Sequence, residues 1–416
     1  MKQTKPQISH EDLFVAIGLL FTASMFFSKF LTSLSMGLLV LLIFVRIDLR
    51  PFHIGWNSNI DGLLRRVYRD KTWFALSLLF WIPFLSGLWS DDVGDWLRIV
   101  RIRLPFLLLP LAFASLDQWP EYAMRRIAMV ATGTALLTIP AVLYHFISDK
   151  NAVLESLEHG KMLWTPAYHI RYSLLLAYSG LLAFYYGASS SKWRYYWWGA
   201  GAIIVIFLHF LAVRSGLFVF YAITGGVLLY EMVKGKHRWK MATGLILLVA
   251  LPIIGVKTIP SLQQKWKYMR WDLERIARGE INEGSDNKRV LSFRGGLHVF
   301  REHPIIGVGA GDLKQKMRDY FIDENLQFEL YPHNQYIFTM ASTGLIGLFL
   351  FLYAVFVPLF HTRAYQFFPA LAIQVIILLS FLVENTLETS LGVAIYLFFT
   401  LASLRQWRST NAASTS

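Results

Sequence analysis

Cysteine is absent from the 416 residues, which excludes disulfides, thiolate metal sites and cysteine nucleophiles. Charge is scarce as well: 16% of residues are Asp, Glu, Lys or Arg, against roughly 25% in a soluble globular chain. With 55% hydrophobic residues and long apolar runs, that deficit excludes a soluble enzyme, a disordered chain and a disulfide scaffold. Convincing repeats, low-complexity tracts and separate soluble domains are also missing. Acidic residues are outnumbered, 27 against 40 Lys and Arg, leaving a formal charge of +13. On a soluble chain that excess raises nucleic acid as a partner. On a membrane chain much of it is topological, so its placement carries the information, and no nucleic-acid partner is expected.

A bilayer-crossing helix needs roughly 20 apolar residues, with a range of about 17–25. Apolar segments fall near 13–28, 30–46, 73–90, 97–116, 127–147, 169–188, 196–213, 216–232, 241–257, 335–360, 367–384 and 388–404. The expected fold is therefore all-α and polytopic, with about twelve spans in one integral membrane domain over 1–416. The first segment follows Glu11 and Asp12, lacks a small-x-small cleavage site and runs straight into a second, so it reads as a retained span. The tail after Arg408 is small and polar and is expected to fray.

Lys and Arg in short loops orient such a chain. Alternate connections are basic: Lys2 and Lys5, then Arg46 to Lys71 with Arg50 among them, Arg125 and Arg126, Lys192 and Arg194, Lys234 to Lys240 with Lys236 among them, Arg363, and finally Arg405 and Arg408. The opposite connections hold few cations: none at 91–95, and Lys150 and Lys161 in 148–168. Both termini are expected on the cytoplasmic side, and the one long connection, 258–334, on the outer face.

That outer segment holds twelve Lys and Arg between Lys265 and Arg318, which topology does not require. They form either a solvated or headgroup-touching surface or an anion site. The segment has helical periodicity. Leu262, Trp266, Met269, Leu273 and Ile276 mark a basic amphipathic helix over 261–278, expected at the membrane surface. Residues 281–288 read as a turn-rich break. A second helix is expected over 289–302, ended by Pro304, and a third from an Asp312 N-cap toward Phe321. These three make an outer-face cap.

Several residues in this layout can carry chemistry. Arg214 interrupts a long apolar stretch at Val213-Arg214-Ser215-Gly216, on the expected outer face. Such an arginine either snorkels at a hairpin turn or clamps a phosphate through its bidentate fork. His209, about one turn deeper, reads as a packed histidine. Arg98 and Arg101, three residues apart on one helical face, either pair with Asp91, Asp92 or Asp95 or face an anion. Those aspartates lack metal-ligand spacing, and no metal or other cofactor is expected. The turn Gly307-Val308-Gly309-Ala310-Gly311 lacks the Lys-Ser/Thr of a nucleotide-phosphate loop.

Pro332-His333-Asn334 opens the tenth span. Free N–H groups and the helix dipole at such a start favour a bound anion, and an uncharged imidazole there can accept a proton as a general base. The plainer reading is a polar anchor. Gly344 lies eleven residues on, only about 20° from the His333 direction on a continuous helix, with Gly347 near the same face. Those glycines are expected to let another helix approach closely.

His333-Asn334, nine residues, Gly344, two residues and Gly347 together resemble the H-[NSQ]-x9-G-x-x-G motif of the bacterial O-antigen ligase family. Phe293-Arg294, followed by His303-Pro304-Ile305-Ile306-Gly307-Val308-Gly309, is similar to that family's Arg-bearing helix and Pro–apolar–apolar–Gly–x–Gly turn. Arg214 resembles the family's outer-face arginine after a span. Phe218 stands where Leu is frequent, and Gly296 with small or apolar neighbours stands where Glu and Trp usually follow the second arginine. The quoted motifs cover 214–218 and 289–350.

The resemblance implies a membrane glycosyltransferase of the bacterial inner membrane, working on the periplasmic face with 258–334 as its periplasmic loop. The implied donor is an undecaprenyl diphosphate-linked glycan. The implied acceptor is the lipid A–core oligosaccharide in a ligase, another carrier-linked glycan in a polymerase, or a protein in an O-oligosaccharyltransferase. Membrane lipids surround the chain. Catalysis is assigned to His333, Arg214 and Arg294, and substrate binding to Arg98, Arg101, Arg289 and Asn334. The implied reaction is inverting and independent of metal. A glycolipid transporter is the alternative of a different class. It needs polar groups near the bilayer midplane, whereas the groups here cluster at the outer surface.

Overall fold

A computed structural model describes residues 9–49, 52–57, 60–235, 238–280 and 284–415. Lys2, Lys5, Arg50 and Lys236, four of the orienting cations, lie outside the described residues, as do residues 281–283 of the expected turn-rich break.

Nearly all of the regular structure is helical. The chain opens with α1 (His10–Ser24) and α2 (Lys29–Leu41), then a hairpin of β1 (Val45–Leu49) and β2 (Phe52–Trp56). Next come α3 (Ile60–Arg69), α4 (Lys71–Leu85), α5 (Val93–Arg103), α6 (Pro105–Ala114), α7 (Ala123–Ser148) and α8 (Lys150–Glu158). The middle of the chain forms α9 (His169–Ser189), α10 (Arg194–Leu211), α11 (Arg214–Lys234) and α12 (Arg238–Thr258). The expected outer segment forms α13 (Pro260–Ala277), α14 (Ser285–Glu302) and α15 (Leu313–Asp323), close to the three helices its periodicity predicts. The chain closes with α16 (Gln335–His361), α17 (Phe368–Ser380) and α18 (Ser390–Thr415), so the expected fraying after Arg408 gives way to continued helix.

Among the described residues, six helical segments are long and apolar enough to cross a membrane: Lys71–Trp89, α7, α10, α11, α12 and α16. The other six apolar segments contain helices that are shorter, interrupted or less apolar. The 97–116 segment, for example, splits into α5 and α6, with Pro105 at the first position of α6. The lipid-facing character is plainest in α12. Ile246, Leu247, Val249 and Ile253 are all exposed on it, an apolar surface that water does not tolerate on this scale.

The hairpin has no counterpart in the helical periodicity. Its register pairs Val45 with Trp56, Ile47 with Ile54 and Leu49 with Phe52, placing apolar residues together on one face. His10 secures it from α1, donating its backbone N–H to Asp48 at 2.9 Å and accepting from the Ile47 N–H at 3.2 Å.

The chain packs as two compact units. The first comprises Met1–Val130, Gly295–Gln374 and Glu384–Ser416. Edge-to-face phenylalanines make part of its core: Phe14 against Phe113 at 5.1 Å and Phe21 against Phe398 at 5.0 Å. The second comprises Ala131–Arg294 and Val375–Val383. Its centre is α9, where Tyr172, Leu174, Leu175, Leu176 and Tyr178 are fully buried and α10 and α11 pack alongside.

Candidate active site

Arg214 is the first residue of α11 because the chain turns sharply before it. Ala212 takes a left-handed conformation (φ 53°) that closes α10, and Val213 is extended. Gly216 then brings the first turn of α11 hard against α9. A Cβ there would lie 2.6 Å from Ser173 Cβ, so no larger residue fits without displacement. Below the turn, the ring of His209 lies 2.7 Å from the Val205 carbonyl and 2.5 Å from the Tyr221 hydroxyl. The carbonyl can only accept, so Nδ1 donates to it and Nε2 accepts from Tyr221. His209 is a packed histidine.

Arg214 makes a two-pronged ion pair with Asp286, both contacts at 2.7 Å. Asp286 sits in the first turn of α14, and its backbone N–H donates to Asp272 of α13 at 2.8 Å. Arg289, one turn further along α14, reaches the same carboxylate at 3.3 Å. Burial opposes the charge on Asp286, but the Arg214 hydrogen bond and the two guanidinium charges outweigh it and hold its pKa below the ordinary carboxylate value. Lys265 of α13 lines the same cleft and donates to the Gly160 carbonyl at 3.1 Å and to the Lys161 carbonyl. Burial, helped by the positive charge of Arg214, pushes its pKa down to about 8. Three cations thus line one narrow cleft, to which His169, Tyr268 and Ser285 also contribute.

Arg294 is not part of this cleft. It lies five residues beyond Arg289, about 140° around the helix. It is exposed and has no hydrogen bond or ion pair among the described residues. The arginine of α14 that joins Arg214 is Arg289.

His333 stands immediately before α16. Asn334 is the N-cap, its side chain accepting from the N–H groups of Tyr336 at 2.9 Å and Ile337 at 3.0 Å. The His333 side chain is one-third exposed, and its Nδ1 faces the buried carboxylate of Glu384 at 3.7 Å. Gln335 anchors the helix start from inside. Its amide donates to Glu388 at 3.0 Å and accepts from the Leu387 N–H at 2.9 Å, and Glu388 is itself in a buried ion pair with Arg103.

Gly344 does something other than the expected close helix approach. It adopts φ 65°, ψ −166°, a conformation open only to glycine, and breaks α16. The segment after Pro304 fills the break. Leu345 and Ile346 N–H groups donate to the Pro304 and Ile305 carbonyls at 2.9 and 3.3 Å. In return, Val308 and Gly309 donate to the Ala341 and Ser342 carbonyls at 3.1 and 2.9 Å. The two motifs far apart in sequence are thereby one interlocked backbone structure. A Cβ on Gly344 would fall 2.1 Å from the Ile305 oxygen.

The glycine turn 307–311 is also tied to the segment between α4 and α5. Ala310 and Gly311 donate to Ser86 at 3.0 Å and Ser90 at 3.2 Å. Asp312 precedes α15 as expected but makes no side-chain cap; its carboxylate instead accepts from the N–H groups of Asp91 and Asp92, the closest at 2.8 Å. Arg98 pairs with Asp95 at 2.7 Å and donates to the Tyr331 hydroxyl at 2.9 Å; Tyr331 in turn bonds Asp95. Burial opposes the charge on Asp95, yet Arg98 and Tyr331 together keep its pKa below the usual value. Arg101 is exposed and unpaired among the described residues. No group of three His, Asp or Glu side chains is set to hold a metal ion among the described residues.

Sequence reasoning missed Asp286, Glu384, Gln335 and Glu388, and it singled out Lys265 only as one of twelve outer-segment cations. Each gains its meaning from a partner distant in sequence, and none has a spacing that marks it out. Among the curated proteins none matches this chain. A family model described as O-antigen ligase matches residues 167–352, a range that contains Arg214, Arg289, Arg294, His333 and Gly344 and leaves Arg98 and Arg101 outside. With its apolar helices the chain is a multi-pass membrane protein, and its segment 167–352 is similar to the O-antigen ligase family.

Proposed function

We propose that this protein is an O-antigen ligase that moves a glycan from undecaprenyl diphosphate to the lipid A–core oligosaccharide, with inversion and without a metal. The observation that carries the reading is the gathering of Arg214, Arg289 and Lys265 around one cleft within the family-matched segment. A diphosphate offers more charge and more acceptor oxygens than the Asp286 carboxylate, so it can displace Asp286 from the guanidinium forks.

The acceptor hydroxyl oxygen attacks the anomeric carbon as the bond from that carbon to the diphosphate oxygen breaks. His333 takes the hydroxyl proton on Nε2, while Glu384 faces Nδ1 and favours the charge that the ring acquires. Arg214 and Arg289, with Arg289 in the place expected of Arg294, stabilise the negative charge growing on the leaving diphosphate. Arg98 is assigned a structural role with Asp95 and Tyr331. Asn334 is assigned to holding the helix start. In this reading 258–334 is periplasmic and the chain lies in the inner membrane as one functional domain.

Purified protein in liposomes, given the carrier-linked glycan and two competing acceptors with no ion gradient, tests this. Glycosylated lipid A–core is the expected product. Elongated carrier-linked glycan instead would make the protein a polymerase, and no product at all would favour a transporter.

A further inference from the structure

Beside the Arg214 cleft lies a larger open one, walled by α8 and α13 in the same unit and lined by Glu158, His159, Gln264, Lys267, Tyr268 and Trp271. Its volume is about 940 Å³ with its open mouth included, more than twice the roughly 420 Å³ of the Arg214 cleft. Tyr268 lines both, so the two clefts adjoin across one ring.

The lining has a specific chemical character. Tyr268 and Trp271 sit one helical turn apart with ring centres at 5.6 Å and planes tilted by 32°, a broad aromatic floor. Tyr268 is fixed in place, its hydroxyl accepting from the Ser285 N–H at 3.2 Å. Trp271 is 44% exposed although a large aromatic surface in water is costly, and the Arg275 guanidinium lies 5.0 Å from its ring. Around the floor stand Glu158, which only accepts hydrogen bonds, Lys267, which only donates, and His159 and Gln264, which do both. The Gln264 Oε1 is buried and accepts no hydrogen bond among the described residues, an arrangement that costs stability unless a donor is supplied to it. An aromatic floor with a rim of mixed donors and acceptors suits neither a phosphate nor an acyl chain. It suits a sugar ring, which has an apolar C–H face and a rim of hydroxyls.

We propose that this cleft is a glycan subsite that holds sugars of the donor while the adjoining Arg214 cleft holds its diphosphate, an assignment that rests on the transferase reading above. Tyr268 marks the boundary between the sugar and phosphate portions. The cleft therefore contributes to the choice of donor glycan, independently of the acceptor.

The test uses the full-length protein in detergent and, as probe, carrier-free oligosaccharide released by mild acid from the undecaprenyl diphosphate-linked glycan. Binding is followed by saturation-transfer NMR. Wild type is expected to bind it, Trp271→Ala to bind about tenfold more weakly, and Trp271→Phe to stay near wild type. Gln264→Leu, which removes one polar group of the rim without touching the floor, is expected to weaken binding in the same direction. Arg214→Lys should bind the free oligosaccharide normally while losing transfer. Wild-type binding by both Trp271→Ala and Gln264→Leu, or no binding by wild type, overturns the subsite even if transfer is intact. Binding that depends on Trp271 in a protein that never transfers glycan would keep the subsite and sink the transferase reading instead.

Discussion

The Arg214 cleft and the turn before His333 are held together by different kinds of bond. In the cleft, side-chain charges do the holding: Asp286 bridges Arg214 and Arg289, and Lys265 rests on two carbonyls. At the turn, the backbone does it: four N–H to carbonyl bonds lock residues 304–309 into the break at Gly344, and Asn334 caps the start of α16. Ion pairs that are partly exposed are worth little and can be exchanged for a better anion. Buried backbone bonds have no such substitute. The difference is consistent with the proposed division of labour, in which one region releases its own carboxylate to take a substrate and the other keeps a proton acceptor fixed.

The largest effect should come from breaking the rigid half. Gly344→Ala must relieve both a glycine-only conformation and a Cβ that would lie 2.1 Å from a carbonyl oxygen. The backbone strain alone costs about 1–3 kcal/mol, so a total loss above about 3 kcal/mol is expected. Thermal unfolding in detergent measures it, and an unchanged midpoint would mean that the interlock is not what holds α16.

The exchangeable half should respond in function more than in stability. Arg214→Lys keeps the charge but loses the fork. It should lower kcat/KM for transfer by about 10- to 100-fold, the worth of a charged hydrogen bond of about 1.5–3 kcal/mol, with little change in unfolding temperature. Equal loss of folding and transfer would place Arg214 with the rigid elements. Asp286→Ala should act in the opposite direction. With the competing carboxylate gone, pyrophosphate should bind more tightly, by up to about fivefold given a partly exposed pair worth up to about 1 kcal/mol. Weaker binding would make Asp286 an orienting residue rather than a placeholder.

The reasons for this contrast were only partly legible in the sequence. Apolar runs and the 3.6 periodicity located the long helices, and the same periodicity located α13, α14 and α15 inside a strongly basic segment. Arg214 and His333 stood out because each interrupts or opens an apolar stretch. What periodicity could not show is where a helix stops obeying it. On periodicity alone Gly344 lies on one face of a continuous helix, whereas its positive φ is needed only because a distant backbone segment enters there. The hairpin at 45–56 was hidden for a related reason, since its apolar alternation continues directly from an apolar helix. Asp286 looked like a turn residue, and its partner is 72 positions away. Arg294 and Arg289 are indistinguishable by composition, and only the direction each takes from α14 separates them.

A smaller effect should follow pH. The Lys265 pKa is lowered to about 8 from the usual 10.5. The folded protein therefore binds fewer protons than the unfolded chain between those values, so this group makes stability rise, not fall, as pH increases through that window. Ligand binding runs the other way. As pH rises through about 8 the cleft loses one of its three charges, and sulfate, whose own charge is constant there, should bind more weakly. Lys265→Met should remove the step; a step that persists belongs to another group. Orientation is tested without any change in rate. An impermeant thiol label should reach a cysteine placed at Arg278, 68% exposed, from outside the cell, and one placed at Trp239, 88% exposed, only after the inner face is opened. The reverse pattern would move the whole cleft to the cytoplasmic side.

The most direct measurement is glycan transfer by His333→Ala in liposomes, with release of undecaprenyl diphosphate and gain of glycan by lipid A–core followed together. The Asn334 cap and the Gln335–Glu388 contacts remain, so the variant should fold and bind donor. Its transfer rate should fall by about 10²–10⁴-fold, the usual contribution of a positioned general base. Transfer at the wild-type rate would contradict the assignment of His333 as the proton acceptor.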